Sequence, residues 1–171
     1  LLPGICAALA LVAALALPAA ARAGGALVAV AANFAEAAEV IAEDFAAATG
    51  HEVTLATGST GKLYAQITKG APFDALLAAD RDRPRRLEAE GHAVTGSRFT
   101  YAVGQLVLWS PAPGMVGPDG AETLAQGDFD HLAIANPELA PYGLAARQAL
   151  DHMGLRARLA DKIVMGQNIG Q

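Results

Sequence analysis

Three short stretches carry side chains able to hold a ligand without reacting with it. Ala31-Ala32-Asn33-Phe34 offers an amide, Thr57-Gly58-Ser59-Thr60-Gly61-Lys62 two adjacent hydroxyls, and the run from Asn136 to Gly143, "NPELAPYG", the phenol of Tyr142. Each follows a short apolar run and leads into a helix-like pattern, so each also offers free backbone N–H groups at a helix start. Amide and hydroxyl donors at converging helix N-termini can hold an anion with no cationic side chain. Such donors neither transfer protons readily nor attack a substrate, so they suit reversible binding better than catalysis.

The second stretch invites other readings. A phosphate loop needs GxxxxGK[ST], but Ala56 stands where the first glycine belongs and Leu63 where a Mg²⁺-binding hydroxyl belongs. An ordinary glycine-rich turn with a hydroxyl N-cap is the bland reading. A hydrolase using Ser59 or Thr60 as nucleophile needs a histidine base nearby. The chain has His51, His92, His131 and His152, scattered without metal-ligand spacing, and no G-x-S-x-G elbow. Asp74 and Asp80 bracket an apolar run and could form an acid–base pair, although Asp80 is better read as a cap on the next helix. Arg81, Arg83, Arg85 and Arg86 form a charge run, read as a solvated helix face with a permease-docking surface as the minority alternative. Lys62 reads as a surface lysine, and Tyr101 and Trp109 as core.

The elements that must position these residues alternate. "ALVAVAA" (26–32) reads as a buried parallel strand. Asn33 stands as the N-cap of a helix whose apolar face is Phe34, Ala37, Ala38, Ile41 and Phe45, closed by Gly50. "HEVTLAT" (51–57) is a second strand, "KLYAQITKG" a helix closed by Gly70, "FDALLAA" (73–79) a third strand, and "RDRPRRLEAEG" a helix ending at Gly91. Residues 26–91 are therefore β-α-β-α-β-α, an α/β doubly wound arrangement. "TYAVGQLVLWS" (100–110) reads as a long strand crossing to a second α/β unit, with Gly104 allowing a bend. Beyond it come the Pro/Gly-rich "PAPGMVGPDG", a strand within 128–136 ending at Asn136, the helix "LAARQALDHMG" closed by Gly154, and the strand "KIVMG" entering the first turn of a further helix. Ligands in open α/β sheets bind at the C-terminal ends of strands, where all three donor stretches lie.

The chain has 171 residues, 53% hydrophobic and 17% charged. Part of the apolar excess lies in residues 1–23, a Leu/Ala run ending in Ala21-Arg22-Ala23, which reads as a signal peptide cleaved near Ala23. Without Arg22 the 12 Lys+Arg become 11 against 17 Asp+Glu, a net charge of −6. Nucleic acid is excluded as a partner, since binding it needs a cationic footprint. With Cys6 in the leader, the exported part has no cysteine and depends on its core rather than on disulfides.

From Ala26 to the end the sequence resembles the periplasmic molybdate-binding proteins of ABC importers. "GSTGKLYAQI", "GAPFDALLAAD", "NPELAPYG" and "KIVMGQNIGQ" carry the resemblance, in order and at family-like spacing. It implies a type II two-lobed periplasmic-binding-protein fold, each lobe a mostly parallel sheet flanked by helices. The expected division is 24–102 for lobe 1 and 103–171 for lobe 2, the second incomplete. It also implies a binding protein rather than an enzyme, monomeric, without cofactor or metal cation. Its ligand would be molybdate or tungstate, its location the periplasm, and its partner a permease in the inner membrane. Carried over by motif, the ligand-binding residues are Asn33, Ser59 and Thr60 from the first lobe, and Tyr142 and the Ile169 backbone N–H, at the start of the last helix, from the second. Thr60 stands where the family usually has serine; its added methyl group leaves selectivity open. A same-fold protein for sulfate, phosphate or another ligand, or a secreted hydrolase, are the alternatives.

Overall fold

In the computed structural model, residues 24–171 are described, and the leader segment expected at 1–23 lies outside them. The chain builds two separate parallel sheets. The first has the order β2-β1-β3, from β1 (Ala26–Ala31), β2 (Val53–Gly58) and β3 (Ala75–Leu77). The second pairs β4 (Leu132–Ala135) with β5 (Ile163–Gly166). Register runs Ala26↔Val53 to Ala31↔Gly58 on one side of β1 and Val28↔Ala75 to Val30↔Leu77 on the other. Parallel strands need crossovers, which the helices α1 (Ala35–Thr49), α2 (Thr60–Thr68) and α5 (Pro141–His152) supply. Helix α3 (Asp82–Ala89) follows β3, and α4 (Gly120–Gln126) precedes β4.

The glycines read as helix terminators act as such. Gly50, Gly70, Gly91 and Gly154 all have left-handed φ, between 69° and 86°, a conformation that costs a residue with a Cβ about 1–2 kcal/mol. The core is divided as the sheets are. Ala29, Val30, Ala31, Ala38, Leu63 and Leu87 are buried in the first lobe. Leu124, Leu150, Leu155 and Leu159 form the centre of the second, with Phe129, Leu132 and Ile163 against them.

Four expectations are corrected here. Helix α1 turns a stripe of alanines inward, Ala38 buried and Ala35, Ala42 and Ala46 half-buried, on a helix packed against β1 and β2. Ile41 and Phe45 of the expected apolar face are 57% and 44% exposed. Small side chains let the helix backbone approach the strands closely, so the larger ones are turned outward. Residues 100–110 form no strand. Alternating apolar residues express only a preference for a half-buried pleated surface, and no neighbouring strand pairs with this segment among the described residues. Trp109 is accordingly 75% exposed rather than core, whereas Tyr101 is half-buried. Residues 167–170 are bends and turns rather than a helix. Finally, α4 went unread, although Asp119 caps it by accepting from Ala121 N at 2.8 Å.

Asp74 and Asp80 do structural work. Asp74 Oδ2 accepts from Leu27 N at 2.7 Å while its own N–H donates to Leu27 O at 2.9 Å, extending the β1–β3 pairing. Asp80 Oδ1 accepts from Arg83 N at 2.9 Å, the capping role expected of it. The arginine run is internally paired: Arg83 to Asp80, Arg85 to Asp82, and Arg86 to Glu90, the last guanidinium lying 4.6 Å from the centre of the Tyr64 ring.

Candidate functional site

The C-terminal ends of β1, β2 and β4 meet in one pocket between the lobes. Asn33, Ser59, Thr60, Tyr142 and Ile169 all line it, with Asn168 beside them and Ala31, Ala79, Ala140 and Pro141 as its apolar wall. The sequence places these residues up to 136 positions apart, between Asn33 and Ile169. Strand direction brings them together: every contributing turn leaves a parallel strand at the same end.

Each donor is held differently. Ser59 is the N-cap of α2, with extended backbone (φ −72°, ψ 146°), and its Oγ accepts from Lys62 N at 3.4 Å. The bland reading of this turn as a hydroxyl cap is therefore also correct. Thr60 is fully buried, and its Oγ1 accepts from Ala79 N at 3.1 Å across the lobe. With that lone pair engaged by a backbone N–H, the hydroxyl is fixed, and its proton is available as a donor. Ser59 is 4% exposed and in the same position chemically. Asn33 is exposed and lies in a 3₁₀ turn, Ala32–Phe34, rather than at an N-cap; the cap position of α1 is Phe34, with no side-chain bond. That turn frees the Asn33 amide from a capping duty.

The second lobe contributes a helix start and a turn. Pro141 occupies the first position of α5, where its missing N–H costs nothing, so the next free amides are those of Tyr142 and Gly143. Neither has a backbone acceptor among the described residues, nor does the Ile169 amide. The Tyr142 phenol oxygen packs over Gly104, where an added Cβ would lie 2.2 Å away. The glycine expected to permit a bend instead makes room for this ring. Asn168 was missed by sequence reasoning. Its Oδ1 accepts from Gly170 N at 2.9 Å, forming an Asx turn that holds the Ile169 amide at the pocket. Its only signal was an asparagine two residues past a strand end, in "GQNIG".

The electrostatics are simple. Among the described residues, no lysine, arginine, histidine, aspartate or glutamate lines the pocket. Lys62 is exposed and is not among the lining residues. The one perturbed group nearby is Tyr101, whose pKa is raised by burial first and by the neighbouring Tyr142 second. Its hydroxyl donates to Ala78 O at 3.0 Å and its ring packs on Phe34, centroids 5.0 Å apart, next to Asn33. A nucleophilic mechanism at Ser59 or Thr60 has no base in this pocket, and a cation has no anionic ligand. An anion is offered hydroxyl, amide and backbone N–H donors and nothing to neutralise it.

The family model described as "Bacterial extracellular solute-binding protein" matches residues 26–171. The chain belongs to that family. Among curated relatives, it is 51% identical over 164 residues to the molybdate-binding protein ModA of Rhodobacter capsulatus, covering 96% of this chain and 64% of that protein. It is 52% identical over 152 residues to the protein of the same name from Azotobacter vinelandii, covering 89% and 60% respectively. The solved structure of the Azotobacter vinelandii periplasmic molybdate-binding protein superposes with a TM-score of 0.83 at 46% identity, over 85% of this chain and 64% of that one. The family member described here thus spans less than two thirds of the length of these relatives, and its two parallel sheets with flanking helices share their fold.

Proposed function

We propose that this chain is the anion-binding part of an extracytoplasmic solute-binding protein that captures molybdate, and tungstate with it, for an ABC importer. The observation that carries the proposal is the pocket itself, lined by Asn33, Ser59, Thr60, Tyr142 and Ile169 from two lobes and, among the described residues, by no charged side chain. That the two relatives at 51% and 52% identity are molybdate-binding proteins supports molybdate as the ligand. Asn33, Ser59 and Thr60 bind from the first lobe. On the second, Tyr142 and Ile169 bind, chiefly through backbone N–H groups. A hydrogen bond to a charged acceptor contributes about 1.5–3 kcal/mol, so five are ample for sub-micromolar affinity, about 8 kcal/mol or more. Because the anion bridges both lobes, it favours the closed arrangement by its differential affinity for it.

The donor set also argues against phosphate. Phosphate carries a proton at neutral pH, and a protonated oxygen brings a donor to a pocket without a carboxylate to accept it. Molybdate, tungstate and sulfate carry none, and size separates the first two from the third. The protein is no enzyme in this reading. It is a monomer released into the periplasm by cleavage near Ala23, handing its anion to a permease in the inner membrane. Competition titration calorimetry with molybdate, tungstate, sulfate and phosphate tests it. Tight binding of the first two with weak or no binding of the others is expected; tight phosphate binding would refute the donor-only argument.

A further inference from the structure

Gly61 does not line the pocket, yet it is one of the points at which the lobes touch beside it. It sits in the first turn of α2 with ordinary helical backbone, so nothing in its own conformation calls for glycine. What calls for it lies across the cleft. The Gly61 N–H donates to the carbonyl oxygen of Leu139 at 2.9 Å. A Cβ added at Gly61 would lie 2.7 Å from that same oxygen and 3.3 Å from its carbon. Both are backbone atoms, so no side-chain rotation relieves the overlap. Arg83, pinned by its bonds to Asp80, reaches the neighbouring carbonyl of Glu138 at 3.4 Å.

We infer that Gly61 is a positioning residue for lobe closure: its bare Cα lets the Leu139 carbonyl dock on the α2 N-terminus, with Arg83 reinforcing the contact, whether or not an anion is present. The contact is one helical residue from Thr60 and one residue before Ala140, so docking it sets the distance between the two halves of the donor set. Closure energy then resides partly outside the ligand. Apparent affinity scales with the fraction of molecules in the closed form, so loss of this contact weakens every anion by the same factor.

The inference rests on the oxyanion reading only for its choice of probe. Titration calorimetry of the full chain and its Gly61→Ala variant, with molybdate and with tungstate, is the test. Alanine is the better helix former by about 1 kcal/mol, which roughly offsets the lost contact, so the ligand-free melting temperature of Gly61→Ala is expected to change by only a few degrees. Both dissociation constants are expected to rise by one common factor, about tenfold or more, the loss of roughly one hydrogen bond plus the overlap. Unchanged affinity, or loss confined to one of the two anions, overturns the inference. Should Gly61→Ala fail to melt cooperatively, Arg83→Gln carries the same measurement, with an equal loss of a few-fold for both anions expected and no loss counting against it. Should the wild-type chain bind neither anion, the functional reading fails on its own. Amide hydrogen exchange at Gly61 in ligand-free protein then decides, protection upholding the docked contact and solvent-like exchange overturning it.

Discussion

Replacing Thr60 by valine removes one oxygen and keeps the shape of the side chain. Two bonds depend on that oxygen. Oγ1 accepts the N–H of Ala79 at 3.1 Å, and in the proposed function its proton is the donor to the anion. Thr60 is fully buried, so water does not take over either duty. Loss of a donor to a charged acceptor costs about 1.5–3 kcal/mol, and leaving the Ala79 N–H unsatisfied costs about 1–3 kcal/mol of stability. The first figure corresponds to roughly a 10- to 150-fold rise in Kd. The second corresponds to a fall in Tm of about 2–12 °C for a chain of this size. Thr60→Ser keeps both bonds and loses one methyl, about 0.8 kcal/mol of burial, so its affinity is expected to stay within a few-fold of wild type. Calorimetry for Kd and a thermal melt for Tm, run on both variants, separate the two duties. If Thr60→Val binds as tightly as wild type while its Tm falls, the hydroxyl is purely structural and the donor argument fails.

Two further expectations follow from the same geometry. Asn33 is exposed and outside any cap, so Asn33→Asp should leave the melt within about 0.5 kcal/mol of wild type. It places a like charge in a pocket without cations, and Kd should rise about a hundredfold or more; an undiminished affinity would remove Asn33 from the site. Glu88 titrates below its usual 4.5, held down chiefly by the Arg98 side chain. Its contribution to stability is present above that usual value and is lost as pH falls through the lowered folded value. Glu88→Gln should therefore be less stable than wild type at neutral pH, the gap closing in acid; a gap that persists in acid in pH-dependent melts would contradict the assigned cause.

What could be read from the amino acids alone was local. Strand and helix patterns, the glycines that end helices, and hydroxyl or amide residues just past strand ends are all written in neighbouring positions. That is why β1 to β5, α1 to α3 and α5 were legible, and why the five residues singled out, Ile169 through the resemblance, could be named before the pocket they line was seen. Tertiary structure decided whatever depends on a partner distant in sequence. The run 100–110 has the alternation of a strand but pairs with no strand among the described residues, and a strand exists only with its neighbour. The alanine stripe of α1 won the core over Ile41 and Phe45 because closeness of approach to a sheet is not a property of hydrophobicity. The glycine of "TGSTGK" suggested a phosphate loop, and only the carbonyl of Leu139, 78 residues away, shows what the missing Cβ makes room for.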